Sequence, residues 1–153
     1  MKQQKTNGYY KVTSAQTVEY LRPVNKKAGT VVIPDSVNLN GANYKVTSVG
    51  TKAFKNNKYL KKLTIGNNVV QIKNYAFYKC AKLNTVKIGK AVQYIGKQSF
   101  YGCKKISTMR IYTSRLKQKN IGSNAFKGTP SRMKVYTLRK LVKSYKSIFI
   151  NGE

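Results

Sequence analysis

The stretch "NYAFYKC", Asn74 to Cys80, returns as "KQSFYGC", Lys97 to Cys103, so an aromatic residue is twice followed three places later by cysteine. Working outward from this pair, Phe54, Phe77, Phe100 and Phe126 fall in one column, with steps of 23, 23 and 26 residues. Five residues before each Phe stands Val49, Ile72, Ile95 or Ile121, and one residue before it Ala53, Ala76, Ser99 or Ala125. After the first three Phe come Leu60, Leu83 and Ile106, then Leu63, Val86 and Met109, then Ile65, Ile88 and Ile111. A fixed period with several apolar columns is the mark of a solenoid, because each turn can bury its apolar face only against its neighbours.

Within each turn, "LKKLTI", "LNTVKI" and "ISTMRI" end in alternation, apolar in and polar out, which predicts short strands stacked into a parallel sheet. The return leg, "VVQIKNYAF" or "VQYIGKQSF", carries a second short extended piece, then a turn and the Ala-Phe wedge, with Phe filling the interior opposite the sheet. The longer last step places its extra residues within "YTSRLKQKN", read as a bulged loop on the rim or convex side.

Cys80 and Cys103 should then lie one above the other, as small apolar fillers at a tight corner. Their separation permits a disulfide by distance, but side chains pointing the same way from parallel turns rarely reach the required dihedral. A metal site lacks ligands, since the sequence has no His.

Both ends of such a stack need covering. "TLRKLVKSYKSIF" spaces Leu138, Leu141, Val142, Tyr145, Ile148 and Phe149 as one face of a helix, with Thr137 as N-cap and Asn151-Gly152 as its stop. That helix is expected to lie across the last turn, although a basic amphipathic helix could instead meet a membrane surface. At the other end, residues from about 8 to 45 read as antiparallel strands covering the first turn, with Pro34 at an edge or corner.

Thirty-one Lys and Arg face three acids, Glu19, Asp35 and Glu153, for a formal charge of +28. This is either a solvated basic surface or an electrostatic footprint for polyanions such as acidic glycans or nucleic acid. The opening residues lack the apolar core of an export signal, and no run is long and apolar enough to span a membrane. Met1 is read either as a true cytoplasmic start or as the start of an excised domain. Two cysteines do not settle the redox compartment.

With these columns in view, "VVIPDSV", "VTSVGTKAFKNNKYLKKLTIGNNV", "VVQIKNYAFYKCAKLNTVKIG" and "IGSNAFKGTPSRMKVY" resemble the BspA-type leucine-rich repeats of bacterial surface proteins, over roughly residues 31 to 137. "RKLVKSYKSIF" is similar to the closing segment of such arrays. The resemblance implies a mainly β, right-handed solenoid of about four turns of 23–26 residues, forming one domain over 1–153. Its parts would be an N-terminal β cap over 1–45, repeats over 46–136 and a C-terminal capping helix over 137–153. It also implies an adhesion module, extracellular or at the cell surface within a larger protein, binding host or bacterial surface proteins or glycans. No residue of the family's pattern fixes a binding site.

Catalysis is not expected. There is no His, the three carboxylates are far apart in sequence, the cysteines belong to a packing column, and no glycine-rich phosphate loop appears. No cofactor is implied. Binding remains, on the outward positions of the stacked strands. These form two rows, Lys62, Thr85, Thr108 and Thr64, Lys87, Arg110, extended by Lys134 and Tyr136 with Tyr112 at the rim. Hydroxyls beside cations at one-strand spacing suit sulfates, phosphates or carboxylates, although Thr and Lys are also ordinary solvent-facing strand residues. Tyr59, Tyr75, Tyr78, Tyr94 and Tyr101 lie on or beside the return leg, as half-buried packing or as a stacking surface for sugars or bases.

Overall fold

The structure is a computed structural model that describes residues 2–5 and 7–150. Its elements are, in chain order, β1 (Lys2–Lys5), β2 (Gly8–Val12), β3 (Thr17–Pro23), β4 (Thr30–Ile33), β5 (Ser36–Leu39) and β6 (Ala42–Val49). Then come β7 (Lys62–Ile65), β8 (Gln71–Ile72), β9 (Thr85–Ile88), β10 (Tyr94–Ile95), β11 (Thr108–Ile111), β12 (Lys134–Tyr136) and the helix α1 (Val142–Ile150). The fold is mainly β, with two sheets and one C-terminal helix.

One sheet has the order β12-β11-β9-β7-β4, and every neighbour in it is parallel. Its register aligns Val31, Leu63, Val86, Met109 and Val135 in one inward column, and Ile33, Ile65, Ile88 and Ile111 in the next. All nine are buried. The second sheet runs β1-β2-β3-β6-β8-β10, with β5 hydrogen-bonded to β6.

The strands between residues 8 and 45 depart from the antiparallel expectation. β2 is antiparallel to β3, and β5 to β6, but β3 pairs parallel with β6 and β4 parallel with β7. In that parallel register Val31 and Ile33 bury into the same columns as Leu63 and Ile65, so β4 continues the inward alternation of β7. β4 is therefore an edge strand of the five-stranded sheet.

Between the sheets the aromatic rings form a continuous spine. Phe54, Phe77, Phe100 and Phe126 stack with centroids 5.1, 5.1 and 5.3 Å apart. Tyr20 stacks on Phe54 at 5.7 Å, Tyr10 meets Tyr20 edge-on at 5.5 Å, and Phe149 closes the far end edge-on against Phe126 at 4.5 Å. Burial raises the Tyr10 phenol to about 12 and pushes Tyr20 higher still, with Tyr10 as a lesser cause.

The helix starts later than its sequence pattern predicts. A 3₁₀ turn, Arg139–Leu141, precedes it, Leu138 is exposed, and Thr137 does not act as its N-cap, since the Thr137 Oγ1 is buried without a partner. The expected stop at Asn151-Gly152 lies outside the described residues, as do Met1 and Glu153. Tyr145, Ile148 and Phe149 are the buried positions of α1. The loop "YTSRLKQKN" packs beneath the helix. Leu116 and Thr113 are buried, and Thr113 O accepts a 3.0 Å hydrogen bond from the Tyr145 hydroxyl.

The cysteines are free thiols, both fully buried. Cys80 Sγ donates to Phe54 O, and Cys103 Sγ to Phe77 O, each at 3.1 Å. The adjacent Cys103 thiol and burial both push the Cys80 thiol far above its ordinary value. Thr129 holds the same place in the last turn and donates to Phe126 O at 2.8 Å.

Candidate binding face

The outer face of the five-stranded sheet is built by the alternation that fills the core. With Leu63, Val86 and Met109 turned inward, their neighbours must point to solvent. The register then fixes two rows, Thr30, Lys62, Thr85, Thr108, Lys134 and Val32, Thr64, Lys87, Arg110, Tyr136. The residues proposed from sequence as Lys62, Thr64, Thr85, Lys87, Thr108, Arg110, Lys134 and Tyr136 thus stand together on one surface. Adjacent strands are about 4.8 Å apart, so each row is a comb of side chains at that spacing.

The cations are exposed, while Thr64, Thr85 and Thr108 are half-buried between them. Arg110 lays its guanidinium over the Tyr136 ring, 4.7 Å from the centroid, which fixes both side chains at the β12 end. Thr85 Oγ1 donates to Asn84 Oδ1 at 3.1 Å, orienting one hydroxyl along the row.

Beyond the strand ends the face opens into a shallow groove of about 480 Å³, lined by Val32, Asp35, Thr64, Asn67, Lys87 and Tyr112. Tyr112 is 52% exposed and Val32 51%. Val32 and Thr30 were missed by sequence reasoning. The signal was present in "TVVI", whose alternation matches "KLTI", but its distance from Lys62 breaks the period.

Electrostatically the face meets no acid from its own rows. Of the three acids in the chain, Glu19 is buried, pairs with Lys73 and accepts from Ser48 Oγ at 3.2 Å. Asp35 Oδ1 accepts from the Asn67 N–H at 2.6 Å, tying the loop after β4 to the loop after β7. Both carboxylates thus serve the fold. Among the described residues no three His, Cys, Asp or Glu side chains come together as a metal site. The thiols commit their hydrogens to backbone carbonyls out of solvent contact. What the face can do chemically is present cations, hydroxyls and aromatic rings.

Tyr78 and Tyr101 stack at 5.2 Å and are half-buried, with Lys55 and Lys79 ammonium groups 5.5 and 5.3 Å from the Tyr78 ring. Tyr75 is half-buried beside them, whereas Tyr59 and Tyr94 are exposed. These rings stand apart from the sheet face.

The repeat unit described as the BspA type leucine rich repeat region matches residues 33–152 in 6 copies. The chain belongs to the BspA-type leucine-rich repeat family. Solved structures of bacterial leucine-rich repeat proteins share its fold. A leucine-rich repeat protein from Bacteroides capillosus is 25% identical with a TM-score of 0.74, the match covering 90% of this chain and 98% of that one. One from Bacteroides ovatus is 28% identical with a TM-score of 0.66, covering 84% of this chain and 35% of that one. A leucine rich cell surface protein from Faecalibacterium prausnitzii, 19% identical with a TM-score of 0.64, covers 95% of this chain and 53% of its own length, and shows the fold alone. Among curated proteins, no relative matches the chain. Among the described residues of this BspA-type chain, no helix is long and apolar enough to cross a membrane.

Proposed function

We propose that this chain is a non-catalytic binding and adhesion module of a bacterial surface protein, recognising a host or bacterial surface protein or an acidic glycan through the outer face of the five-stranded sheet. The observation that carries the reading is the register: it sets Lys62 and Lys134 in one row with Thr85 and Thr108 between them, and Thr64, Lys87 and Arg110 in the row beside it, with an Arg110–Tyr136 stack at one end. Such a comb suits anionic groups repeated along a polymer or a partner's surface. The same reading makes the coil right-handed, with turns of 23–26 residues, and places the module outside the cell as part of a larger protein. Family membership supports this location.

The test is an array of glycans and matrix proteins at physiological salt, run on wild type and on the triple variant Lys62→Ala, Lys87→Ala, Arg110→Ala. Selective binding by wild type that the variant loses supports the reading. Equal binding by both removes the sheet face from consideration.

A second reading, a polyanion or nucleic-acid binder of low selectivity, is favoured by the charge of +28 and by the internal use of Glu19 and Asp35. Salt separates the two. Under the second reading, affinity for every polyanion falls steeply between about 50 and 200 mM salt, because binding is then dominated by counterion release.

A further inference from the structure

Each return leg is joined to the next by three backbone hydrogen bonds running in one direction. Lys52, Phe54 and Asn56 donate their N–H groups to the carbonyls of Asn74, Ala76 and Tyr78 at 3.1, 2.6 and 2.7 Å. Tyr75, Phe77 and Lys79 repeat this to Lys97, Ser99 and Tyr101, and Gln98, Phe100 and Gly102 to Ser123, Ala125 and Lys127. The uniform direction follows from positive φ angles two residues before and two after each Phe, as at Lys52 (61°) and Asn56 (60°). Such residues turn alternate peptide groups to the same side.

Carried back one step, the pattern assigns the carbonyls of Thr51, Ala53 and Lys55 to donors from a preceding turn. Among the described residues no donor reaches them. Tyr20 covers the Phe54 ring on that side, but the chain after it stands off until Lys26 O accepts from Asn57 Nδ2 at 3.1 Å, and leaves a cleft of about 450 Å³ against residues 51–59. Arg22, Lys26, Lys52, Lys55 and Lys58 are among its lining residues, and none of the lining residues is acidic.

We infer that this cleft docks an extended acidic peptide segment, whose main-chain N–H groups take the place of the missing turn while its carboxylates meet the basic rim. The carbonyl row calls for donors at alternate positions, as an added chain supplies when it alternates in conformation like the return legs, and the rim calls for acids. An anionic polymer without such donors would set oxygen against oxygen. A second copy of this chain offers donors, because the N–H groups of Asn124, Phe126 and Gly128 are unpaired among the described residues. It also brings the same +28 charge, which opposes stacking. The inference is independent of the sheet face.

The probe is a short blocked peptide alternating Glu with Ala, labelled for fluorescence anisotropy, at about 150 mM salt where long-range attraction is screened. Saturable binding to the wild-type chain is expected, with amide shifts confined to residues 21–26 and 51–59. N-methylation of every residue keeps the charge and removes all the main-chain N–H donors, and should weaken binding about tenfold or more. The triple variant Arg22→Ala, Lys26→Ala, Lys55→Ala should lose about as much, whereas Lys62→Ala, Lys87→Ala, Arg110→Ala should bind as wild type does. Equal affinity for the N-methylated peptide would overturn the proposal without depending on any variant's folding. So would a heparin oligosaccharide that shifts the same amides as tightly, or self-association in sedimentation that the peptide fails to disrupt.

Discussion

The thiol of Cys103 donates a 3.1 Å hydrogen bond to the carbonyl of Phe77, twenty-six residues earlier in the chain. The same carbonyl accepts the Cys103 counterpart's amide, Cys80 N–H, at 3.2 Å, so one oxygen ties two turns together. Cysteine suits the place because it is small enough for the corner and still brings a donor. Cys103→Ala is expected to lower stability by about 1–3 kcal/mol, from lost packing and a lost buried bond. Urea unfolding checks this. In the native state neither thiol should react with an aromatic disulfide reagent, whereas both should react once the chain is unfolded.

Phe100 sits between two stacked rings, 5.1 Å from Phe77 and 5.3 Å from Phe126. Phe100→Ala should cost about 3–5 kcal/mol, since the turns above and below hold the cavity open. Phe100→Leu refills most of that volume and should cost about half as much or less. Thermal or denaturant unfolding of the two variants gives the comparison.

Gly89 is required by its neighbour one turn earlier. A Cβ there would lie on the Gly66 carbonyl oxygen, which belongs to the backbone and cannot swing aside. Gly89→Ala is expected to destabilise by about 2 kcal/mol or more. Gly41 has a φ of +86° and nothing near its added Cβ, so Gly41→Ala should cost only the backbone strain, about 1 kcal/mol.

Glu19 is 8% exposed and holds both Lys73 and Ser48 between β3 and the following turns. Glu19→Gln removes the charge but keeps the shape, leaving Lys73 without its carboxylate partner. A loss of about 1–3 kcal/mol is expected. A double variant with Lys73→Met should recover part of it, measured as a double-mutant cycle.

Alkaline pH should unfold the chain through groups kept neutral inside it. Burial raises Tyr10 from 10.0 to about 12 and lifts Tyr20 and Tyr145 in the same direction, while Cys80 is lifted from 9.0 by the adjacent Cys103 thiol and by burial. Above pH 9 the unfolded chain releases these protons and the folded chain retains them, so the unfolded state binds fewer and stability falls as pH rises. The contribution of these groups is whole below pH 9. Urea midpoints measured from pH 8 to 11 should hold to about pH 9 and fall above it.

The repeat was legible in the sequence because each buried position is a column. Phe54, Phe77, Phe100 and Phe126, and the inward Leu63, Val86 and Met109, recur at a nearly constant step since each turn solves the same packing problem against an identical neighbour. The alternation within "LTI", "VKI" and "MRI" also decided which side chains face outward, so most of the candidate face was readable.

The covering helix at the C-terminus was also legible, but the contacts made at the two ends came only from the tertiary structure. Tyr10, Tyr20 and Phe149 extend the aromatic spine at spacings that follow no period, because each meets one repeat and no copy of itself. For the same reason β4 joined the parallel sheet against the antiparallel expectation, and Thr137 gave up its expected cap. The open carbonyls of Thr51, Ala53 and Lys55 have no signature in residue type at all. A backbone group is left without a partner by where the stack begins, and side-chain identities along the chain do not encode what a neighbour fails to supply.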